Sequence, residues 1–464
     1  MRSNGRKMRN PGVNVLDTSK PMWRTMLIFL VPLMLSNVMQ SASQTLASVF
    51  VGRMLGVDAL AAMSAVFPVF FLLFSFLIGI ATGSTILIGQ AFGAQDTARV
   101  KKVAGTVLGA TFAFGVGIAV VGWFVSPTLL MWLGTPPSIL ASSDAYLRLV
   151  VLTAPLIFPY ISYTTFLRGT GDAQTPFYFL IVGTVLSIVL TPAFIAGWFG
   201  LPHLGVLAAV VGGTLGQAIS FAAFLITLSR QNHLLKFDGE MARDMLVDWS
   251  ILWTVMRVGI PTGIQVIMVS LAEIALITFV NHYGPHATAA YGAVNQIVGY
   301  VQFPAMSIGI TASIFGAQCI GARREDLLRM VVRSAVALNY VIGIVLIGAC
   351  YLASWSILGW FLTNTETLDI AHALLMITLW SYLLFGNSAV ISGVVRSSGA
   401  VLWPMINGIF AIWAVEVPSA YYFMHQYGID GIWYGYPISY AVVLALQFSY
   451  YEFFWKRRTH ARLA

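Results

Sequence analysis

Charge is what this sequence has least of. Its 464 residues include 25 Lys and Arg and 17 Asp and Glu, so that 9% are charged, against about 25% in soluble globular proteins. Hydrophobic residues make up 58% of the chain. A surface in contact with water cannot be built from so few charged side chains, so the composition excludes a soluble protein and predicts a polytopic membrane protein.

Cysteine and histidine are also scarce. The 2 cysteines, Cys319 and Cys350, lie in or beside apolar segments, and the 7 histidines are scattered. This pattern indicates neither a disulfide framework nor a thiolate metal site. The sequence also lacks a P-loop, an HExxH motif and a Gly-x-Ser-x-Gly motif. We therefore predict no enzyme activity, no cofactor and no transport driven by ATP.

Long apolar runs occupy most of the remaining sequence. A transmembrane helix needs about 20 apolar residues, whereas a barrel strand needs about 10 residues of alternating polarity. The runs here are continuous and long, and they predict an all-α membrane protein with twelve transmembrane helices. The predicted helices span residues 24–51, 60–90, 104–126, 145–167, 177–199, 205–229, 254–281, 288–318, 330–353, 371–395, 403–425 and 430–455.

The distribution of positive charge predicts the orientation. When loops are assigned alternately to the two sides, all of the 25 Lys and Arg except Arg53 and Arg148 fall on one side. The positive-inside rule places that side, with both termini, in the cytoplasm. We predict a multi-pass protein of the inner or plasma membrane. Because its positive charge is spread over short loops between membrane helices, it is explained by orientation and lipid headgroups, and we predict no nucleic-acid partner.

The two halves of the chain repeat one pattern. Ala61–Ala94 aligns without a gap on Ala289–Ala322 at an offset of 228 residues, and Arg168 aligns on Arg396 at the same offset. Since six helices are an even number, the halves are two parallel six-helix bundles related by an axis along the membrane normal. The predicted parts are a cytoplasmic tail (1–23), an N-terminal lobe (24–229), a cytoplasmic linker (230–250), a C-terminal lobe (251–455) and a cytoplasmic tail (456–464).

Several motifs, in this order and with this doubled spacing, resemble the multidrug and toxic-compound extrusion (MATE) family of secondary transporters. They are a helix 1 proline followed by Asn37 and Gln40, FVGRMLGVDALAA, Gln90-x-x-Gly93-Ala94 with its repeat Gln318-x-x-Gly321-Ala322, Arg168-Gly169-Thr170-Gly171-Asp172 with Thr175-Pro176, and GIWYGYPISY. The resemblance implies a V-shaped pair of lobes that exports organic, often cationic or amphipathic, compounds in exchange for H⁺ or Na⁺ by alternating access. We expect a monomer whose partners are this substrate and the lipid bilayer.

Coupling to an ion gradient needs a group that holds either the substrate cation or the coupling ion, and a membrane carboxylate suits this role. Glu273 and Glu416 are the only acidic residues predicted at mid-membrane depth. The family resemblance implies an essential glutamate in helix 7, where Glu273 lies. Tyr382 and Asn387 are further oxygen ligands for a possible Na⁺ at Glu273, and no other metal site is expected. All four side chains could equally form hydrogen bonds between helices.

The N-terminal lobe departs from the family pattern. Many members carry an aspartate in helix 1 and an Asn-x-x-x-Asp pair in helix 5, whereas alignment places Ala47 at the first position and Ser187 and Thr191 at the pair. A helix 10 aspartate is also absent. Because Ala47 and Thr191 cannot titrate, we predict that coupling runs through the C-terminal lobe.

Polar and aromatic residues in the predicted helices suggest a substrate cleft. Amide dipoles and aromatic faces hold a cation loosely in several poses, which suits broad recognition, although helix packing would also use these side chains. The candidate cleft residues are Asn37, Gln40, Gln44, Gln265, Asn295, Gln296 and Tyr300. Pro32 and Pro261 occupy equivalent places in helices 1 and 7, and they are candidate hinges or static kinks.

The loop around Arg168 and Asp172 suggests a structural fastening by helix capping and ion pairing. Two alternatives to drug export remain open. A flippase or exporter of a lipid-linked or other non-drug cargo would need basic residues in the cleft for a pyrophosphate, and the sequence predicts none at mid-membrane depth. A non-transporting membrane receptor is the other alternative, and it would tolerate the loss of Glu273.

Overall fold

The computed structural model describes residues 12–458 and 460–463, apart from the side chain of Phe199. The first eleven residues of the predicted N-terminal tail, including Arg2, Arg6, Lys7 and Arg9, lie outside them. The described residues form helices and connecting turns, without β-strands. Eleven helices among them are long and apolar enough to span a membrane. The described residues divide into unit 1 (12–13 and 31–259) and unit 2 (14–30, 260–458 and 460–463).

The first half of the chain contains helices separated by short turns. They are α1 (Met22–Leu55), α2 (Val57–Ala65), α3 (Phe67–Gly93), α4 (Thr97–Trp132), α5 (Pro137–Gly169), α6 (Gln174–Ala196), a 3₁₀ turn (Trp198–Gly200), α7 (Leu207–Arg230) and the short α8 (Gly239–Asp244). All but α2 and α8 among the α-helices are candidate spans. These spans confirm the predicted helices of the N-terminal lobe, with ends that differ by several residues in both directions. The predicted helix 60–90 is divided between α2 and α3 at Val66.

The second half begins with α9 and contains two π-helical segments. Its elements are α9 (Trp249–Asn281), α10 (Pro285–Gly321), α11 (Glu325–Leu352), α12 (Ser354–Gly359), α13 (Thr365–Thr378), a 3₁₀ turn (Leu379–Ser381), α14 (Tyr382–Arg396), α15 (Leu402–Phe410), π1 (Ala411–Glu416), α16 (Val417–Tyr427), α17 (Ile429–Trp433), α18 (Gly435–Tyr450) and π2 (Tyr451–Trp455). The predicted eleventh helix is the continuous run α15–π1–α16, so the π segment interrupts its α-helical geometry.

The backbone repeats with the same offset as the sequence. Positive φ angles occur at Gly56 and Gly284 (87° and 92°) and at Gly171 and Gly399 (88° and 84°). The same offset of 228 residues relates Gln95 to Arg323, which have φ angles of 60° and 57°. Left-handed backbone is rare outside glycine. Its recurrence at equivalent positions, even where neither residue is glycine, supports the predicted internal duplication.

The division between the units passes through α1 and α9 next to their prolines. Phe29, before Pro32, belongs to unit 2 and lies 5.3 Å from Phe315 between ring centroids. Gly259, before Pro261, belongs to unit 1, where an added Cβ would lie 2.6 Å from the carbonyl oxygen of Gly79. A proline inside a helix removes one backbone hydrogen bond. The hinges at Pro32 of helix 1 and Pro261 of helix 7 remain predictions. Next to each proline, the helix passes from one unit to the other.

The segment predicted as a linker, 230–250, packs within unit 1. Lys101 of α4 binds Asp238 and Glu240 at 3.1 and 2.6 Å. Gly105 and Gly109 allow the backbone of the segment to approach α4, since a Cβ at Gly109 would lie 2.0 Å from the Met245 carbonyl oxygen. Although partial burial opposes ionisation, hydrogen bonds from the Met241 amide and from Lys101 hold the pKa of Asp238 below its ordinary value.

Two buried polar groups lie where this segment meets the loop after α5. Asp172 and His233 are each 1% exposed. The Asp172 Oδ1 atom accepts a hydrogen bond from the Thr175 amide at 3.0 Å, so the expected capping is present. None of the ion pairs among the described residues joins Asp172 to Arg168, so the expected ion pairing is wrong. The His233 Nδ1 atom accepts from the Leu235 amide at 3.1 Å. Asp172 Oδ2 and His233 Nε2 have no protein partner among the described residues.

Acidification is expected to loosen the segment from 231 to 238. Burial lowers the pKa of His233, although the charge of Asp172 opposes this shift. The detached segment therefore binds a proton before the docked one does, and docking weakens as the pH falls below the ordinary histidine pKa, by at most about tenfold per pH unit for one proton. Hydrogen exchange of the amides of residues 231–238 measures this opening. His233→Gln is expected to remove the pH dependence and His203→Gln to retain it; an unchanged profile in His233→Gln would contradict the assignment.

Candidate functional site

Glu273 lies on α9, twelve residues after Pro261, which is about 18 Å along a helix. Its neighbours in unit 2 come from two other helices, Tyr291 of α10 and Tyr436 of α18. Both tyrosines belong to a buried apolar cluster that includes Leu276 and Trp433. Their rings are thus fixed by packing while their hydroxyl groups point at the carboxylate.

The Glu273 carboxylate is held by hydroxyl groups and by no cation. Its Oε2 atom accepts a hydrogen bond from the Tyr291 hydroxyl at 2.6 Å and another from the Tyr436 hydroxyl at 3.2 Å. The two hydroxyl oxygens lie 2.9 Å apart. The Tyr291 ring stacks on Trp433 with an interplanar angle of 11°. None of the ion pairs among the described residues includes Glu273.

Glu416 is the second carboxylate inside unit 2. It is 4% exposed and is the last residue of π1. Its carboxyl interacts with Ser439 of α18 and electrostatically with Glu273. Ser439 also donates a hydrogen bond to the carbonyl oxygen of Ala411, at the other end of π1, at 3.1 Å. The two predicted carboxylates thus belong to one polar region, and their role in coupling stays a prediction.

Of the remaining two predicted coupling residues, Tyr382 lies in the same buried cluster as Tyr291 and Tyr436, whereas Asn387 does not. Tyr382 packs edge-on against Tyr440 with ring centroids 5.4 Å apart, on the side of α18 that also carries Tyr436. Asn387 is turned toward α11, where its Oδ1 atom accepts a hydrogen bond from Asn339 at 3.1 Å. No hydrogen bond among the described residues joins Asn387 to Glu273. The structure therefore gives Asn387 the interhelical bond that was the alternative interpretation.

Gln265 is bound by an arginine. Its Oε1 atom accepts a hydrogen bond from the Arg396 guanidinium at the end of α14. On its other side, Gln265 packs against α15 at Gly408, where an added Cβ would lie 2.5 Å from Nε2. The Nε atom of Arg396 is buried without a protein partner. An arginine at the end of a membrane helix therefore reaches a predicted cleft residue, although the sequence predicts no basic residue at mid-membrane depth.

The other candidate cleft residues are exposed or half-buried within their own units. On α10 of unit 2, Asn295, Gln296 and Tyr300 are exposed, whereas Val294, Ile297, Val298 and Val301 are buried. On α1, Gln40 and Gln44 are exposed and Asn37 is half-buried, and these three residues share one face because they are spaced by three and four. Exposed amides on membrane helices are costly against lipid, which favours faces in contact with water.

The positions of the missing acids in the first half are filled by packing. Thr191 is 1% exposed, and an added Cβ at Gly212 of α7 would lie 2.7 Å from both its amide nitrogen and its Oγ1 atom. Ala47 lies half-buried on α1. Sequence reasoning missed Tyr291 and Tyr436 as partners of Glu273. Tyr291 lies in the repeated segment Ala289–Ala322 and Tyr436 in the GIWYGYPISY motif. Nothing in the spacing indicates that two tyrosines 145 positions apart share one carboxylate.

Comparison with known proteins agrees on one family. A family model named MatE matches residues 32–193 and 261–422. The chain is 51% identical over 448 residues to "Probable multidrug resistance protein YoeA" of Bacillus subtilis, covering 96% of this chain and 97% of that protein. It is 23% identical to "Multidrug export protein MepA" of Staphylococcus aureus, covering 89% of each. The crystal structure of a Vibrio cholerae MATE transporter, VcmN, matches with a TM-score of 0.86 and 19% identity, over 94% of this chain and 98% of that one.

Proposed function

The chain belongs to the MatE family, and from this membership we propose that it is a secondary active antiporter that exports organic cationic or amphipathic compounds in exchange for H⁺ or Na⁺. The cycle runs by alternating access of the two lobes, with both termini in the cytoplasm and the protein working as a monomer in the plasma membrane. Names of relatives support multidrug efflux as the broad activity.

One observation carries the proposed coupling: the Glu273 carboxylate accepts hydrogen bonds from two tyrosine hydroxyls and has no paired cation. In this state the carboxylate has hydrogen-bond donors but no charge to neutralise it. A proton or Na⁺ would supply that neutralisation, and the tyrosine oxygens could turn toward Na⁺ as ligands. An organic cation would compete for the same charge, and such competition links export to ion entry.

Glu416 extends this proposal. It interacts electrostatically with Glu273, so both carboxylates can act on the same coupling ion. We therefore assign the coupling ion to the pair, with Glu273 as the site of exchange because it is half-buried whereas Glu416 is enclosed. The exposed amides of α10, Asn295 and Gln296, together with Tyr300, bind the substrate.

Transport in proteoliposomes tests the function. The purified protein is reconstituted, and movement of ethidium is followed by fluorescence under an imposed Na⁺ gradient, an imposed pH gradient, or neither. We expect one of the two gradients to drive accumulation against the ethidium gradient and thereby to identify the coupling ion. Equal transport in all three conditions would contradict antiport.

Tyr291→Phe is expected to reduce gradient-driven ethidium transport about tenfold. The substitution keeps the ring and its stacking on Trp433 but removes the shorter hydrogen bond to Glu273, and a hydrogen bond to a charged group contributes about 1.5–3 kcal/mol. Tyr283→Phe is the matched control, since that hydroxyl makes a 3.4 Å bond to the Met424 carbonyl oxygen. If the two variants transport equally well, Tyr291 has only a packing role.

A second function is favoured by the bond between Arg396 and Gln265. A guanidinium with a buried, unpartnered Nε atom could bind an anionic group, as an exporter of a lipid-linked pyrophosphate would require. Translocation of a fluorescent anionic phospholipid in the same proteoliposomes tests this function. If the wild-type protein translocates this lipid and the Arg396→Gln variant does not, lipid export is favoured over drug export. A protein that moves neither probe would fit the receptor alternative.

A further inference from the structure

Unit 2 contains a cavity of about 420 Å³ at the end that carries the turn between α10 and α11. The cavity is lined by that turn and by the C-terminal tail, far along the chain from Glu273. Its basic lining residues are Arg323, Arg324, Arg462 and His460, and one acidic residue, Glu325, also lines it. A cavity of this volume accommodates a small molecule or a lipid headgroup.

The internal repeat shows what is unusual about the turn. At the equivalent turn of the first half, Gln95 has the left-handed backbone and Asp96 caps α4, since its carboxylate accepts a hydrogen bond from the Arg99 amide at 2.9 Å. In unit 2 the same two positions are Arg323 and Arg324. Arginine is not a helix-capping residue, and Arg324 makes no side-chain capping bond. The second half therefore carries two positive charges where the first has an amide and an acid.

Local acids compensate only part of this charge. The Asp326 carboxylate accepts two hydrogen bonds from the Arg324 guanidinium, at 2.8 and 2.7 Å. Arg323 and Arg462 are exposed and are in no ion pair among the described residues. Glu325 opposes one of these two charges. The amide groups at the start of α11 add positive potential on the same side.

The tail is fixed where it completes the cavity. The indole of Trp455 donates a hydrogen bond to the Ser398 hydroxyl at 2.8 Å, and His460 stacks on Trp455 with ring centroids 4.0 Å apart. Leu463 packs against Gly399, where an added Cβ would lie 2.5 Å from the leucine side chain. These contacts on both sides of residues 461 and 462 keep Arg462 in the lining of the cavity, which also includes Arg323.

We propose that this cavity binds a phosphate ester, with Arg323 and Arg462 as its ligands. Two unpaired guanidinium groups, a helix N-terminus and a histidine on one wall match the charge and hydrogen-bonding needs of a phosphate. The phosphate can come from an anionic phospholipid headgroup or from a soluble phosphate ester. The site is separate from the proposed export function, because none of its lining residues contributes to the Glu273 cluster.

Ligand-induced stabilisation of the purified full-length protein tests the site. Thermal unfolding is measured with dioctanoyl phosphatidylglycerol, with dioctanoyl phosphatidylcholine, and with glycerol phosphate. We expect phosphatidylglycerol to stabilise the protein more than phosphatidylcholine does. In the double variant Arg323→Gln/Arg462→Gln the apparent affinity for phosphatidylglycerol should fall at least about tenfold. Stabilisation by glycerol phosphate as well would identify the phosphate ester as sufficient, and its absence would identify the lipid as the source.

Arg457→Gln/Arg458→Gln is the matched control, because it removes two charges from the same tail at residues that do not line the cavity. The control should keep the wild-type affinity. The single variant Arg462→Gln, at an exposed position of the tail, should lose part of the affinity for phosphatidylglycerol. It replaces the double variant in the test if the double variant without ligand unfolds at a lower temperature than the wild type. Equal losses in the double variant and the control, or no preference for phosphatidylglycerol in the wild type, would overturn the proposal.

Discussion

Glu273→Gln is expected to lower gradient-driven export about 100-fold or more, the equivalent of about 3 kcal/mol. The glutamine has no negative charge with which to bind a proton or Na⁺, and the two hydrogen bonds to it are no longer charge-assisted. The amide oxygen can still accept from Tyr291 and Tyr436, whose hydroxyls lie 2.6 and 3.2 Å from the carboxylate. The fold should therefore be retained. Ethidium transport under the driving gradient measures the effect, and the thermal unfolding curve verifies folding.

Glu452→Gln provides the control for this substitution. Glu452 is also an acid in a transmembrane segment, but it is paired with Lys456 at 2.7 Å and is part-exposed. Its loss should leave export within about twofold, as exposed ion pairs contribute little. Comparable export by Glu273→Gln and wild type under the driving gradient would remove Glu273 from the mechanism and shift attention to Glu416→Gln.

Gly393→Ala is expected to destabilise unit 2 by about 2 kcal/mol or more, and Gly393→Leu to prevent folding. Gly393 of α14 faces Gly309 of α10, and an added Cβ would lie 2.2 Å from the Gly309 carbonyl oxygen. Such a distance forces the two helix backbones apart. Membrane helices associate through small residues that permit close approach, so the lost contacts extend along the whole pair.

Gly348→Ala of α11 tests whether the effect comes from packing. Nothing lies within 4 Å of its added Cβ, so the greater helix propensity of alanine should leave stability unchanged or slightly increased. Unfolding in detergent, followed by circular dichroism at increasing denaturant, compares the variants. A Gly393→Ala protein as stable as Gly348→Ala would mean that α10 and α14 do not pack this closely.

Much of the fold could be predicted because its signals are local or periodic. Apolar length alone located the spans, and the alignment of Ala61–Ala94 on Ala289–Ala322 revealed the duplication that recurs in the backbone at Gly171 and Gly399. Packing between distant segments has no such signal. The approach of α4 to the segment around Met245 depends on Gly109, and a glycine in a membrane helix does not identify its partner.

Of the residues in the site, only the carboxylates could be predicted from the sequence. Carboxylates are so few in the apolar segments that Glu273 and Glu416 stand out by composition, whereas tyrosine is common here, with 18 in the chain. Tyr291 and Tyr436 become distinctive only when three helices bring them to one oxygen atom. Asn387 illustrates the converse, because its amide is as suitable for Asn339 as for an ion. Polar side chains common enough to serve packing cannot be assigned a role by position along one helix.

The wide π-helical turn that ends at Glu416 changes the rotation of the helix that contains it. In π1 (Ala411–Glu416) the backbone bonds skip one more residue than in an α-helix. The extra residue in such a turn adds about 100° of rotation between the helical segments on its two sides. α16 therefore continues from Glu416 with a different face toward its neighbours than a regular helix that starts at α15 would present.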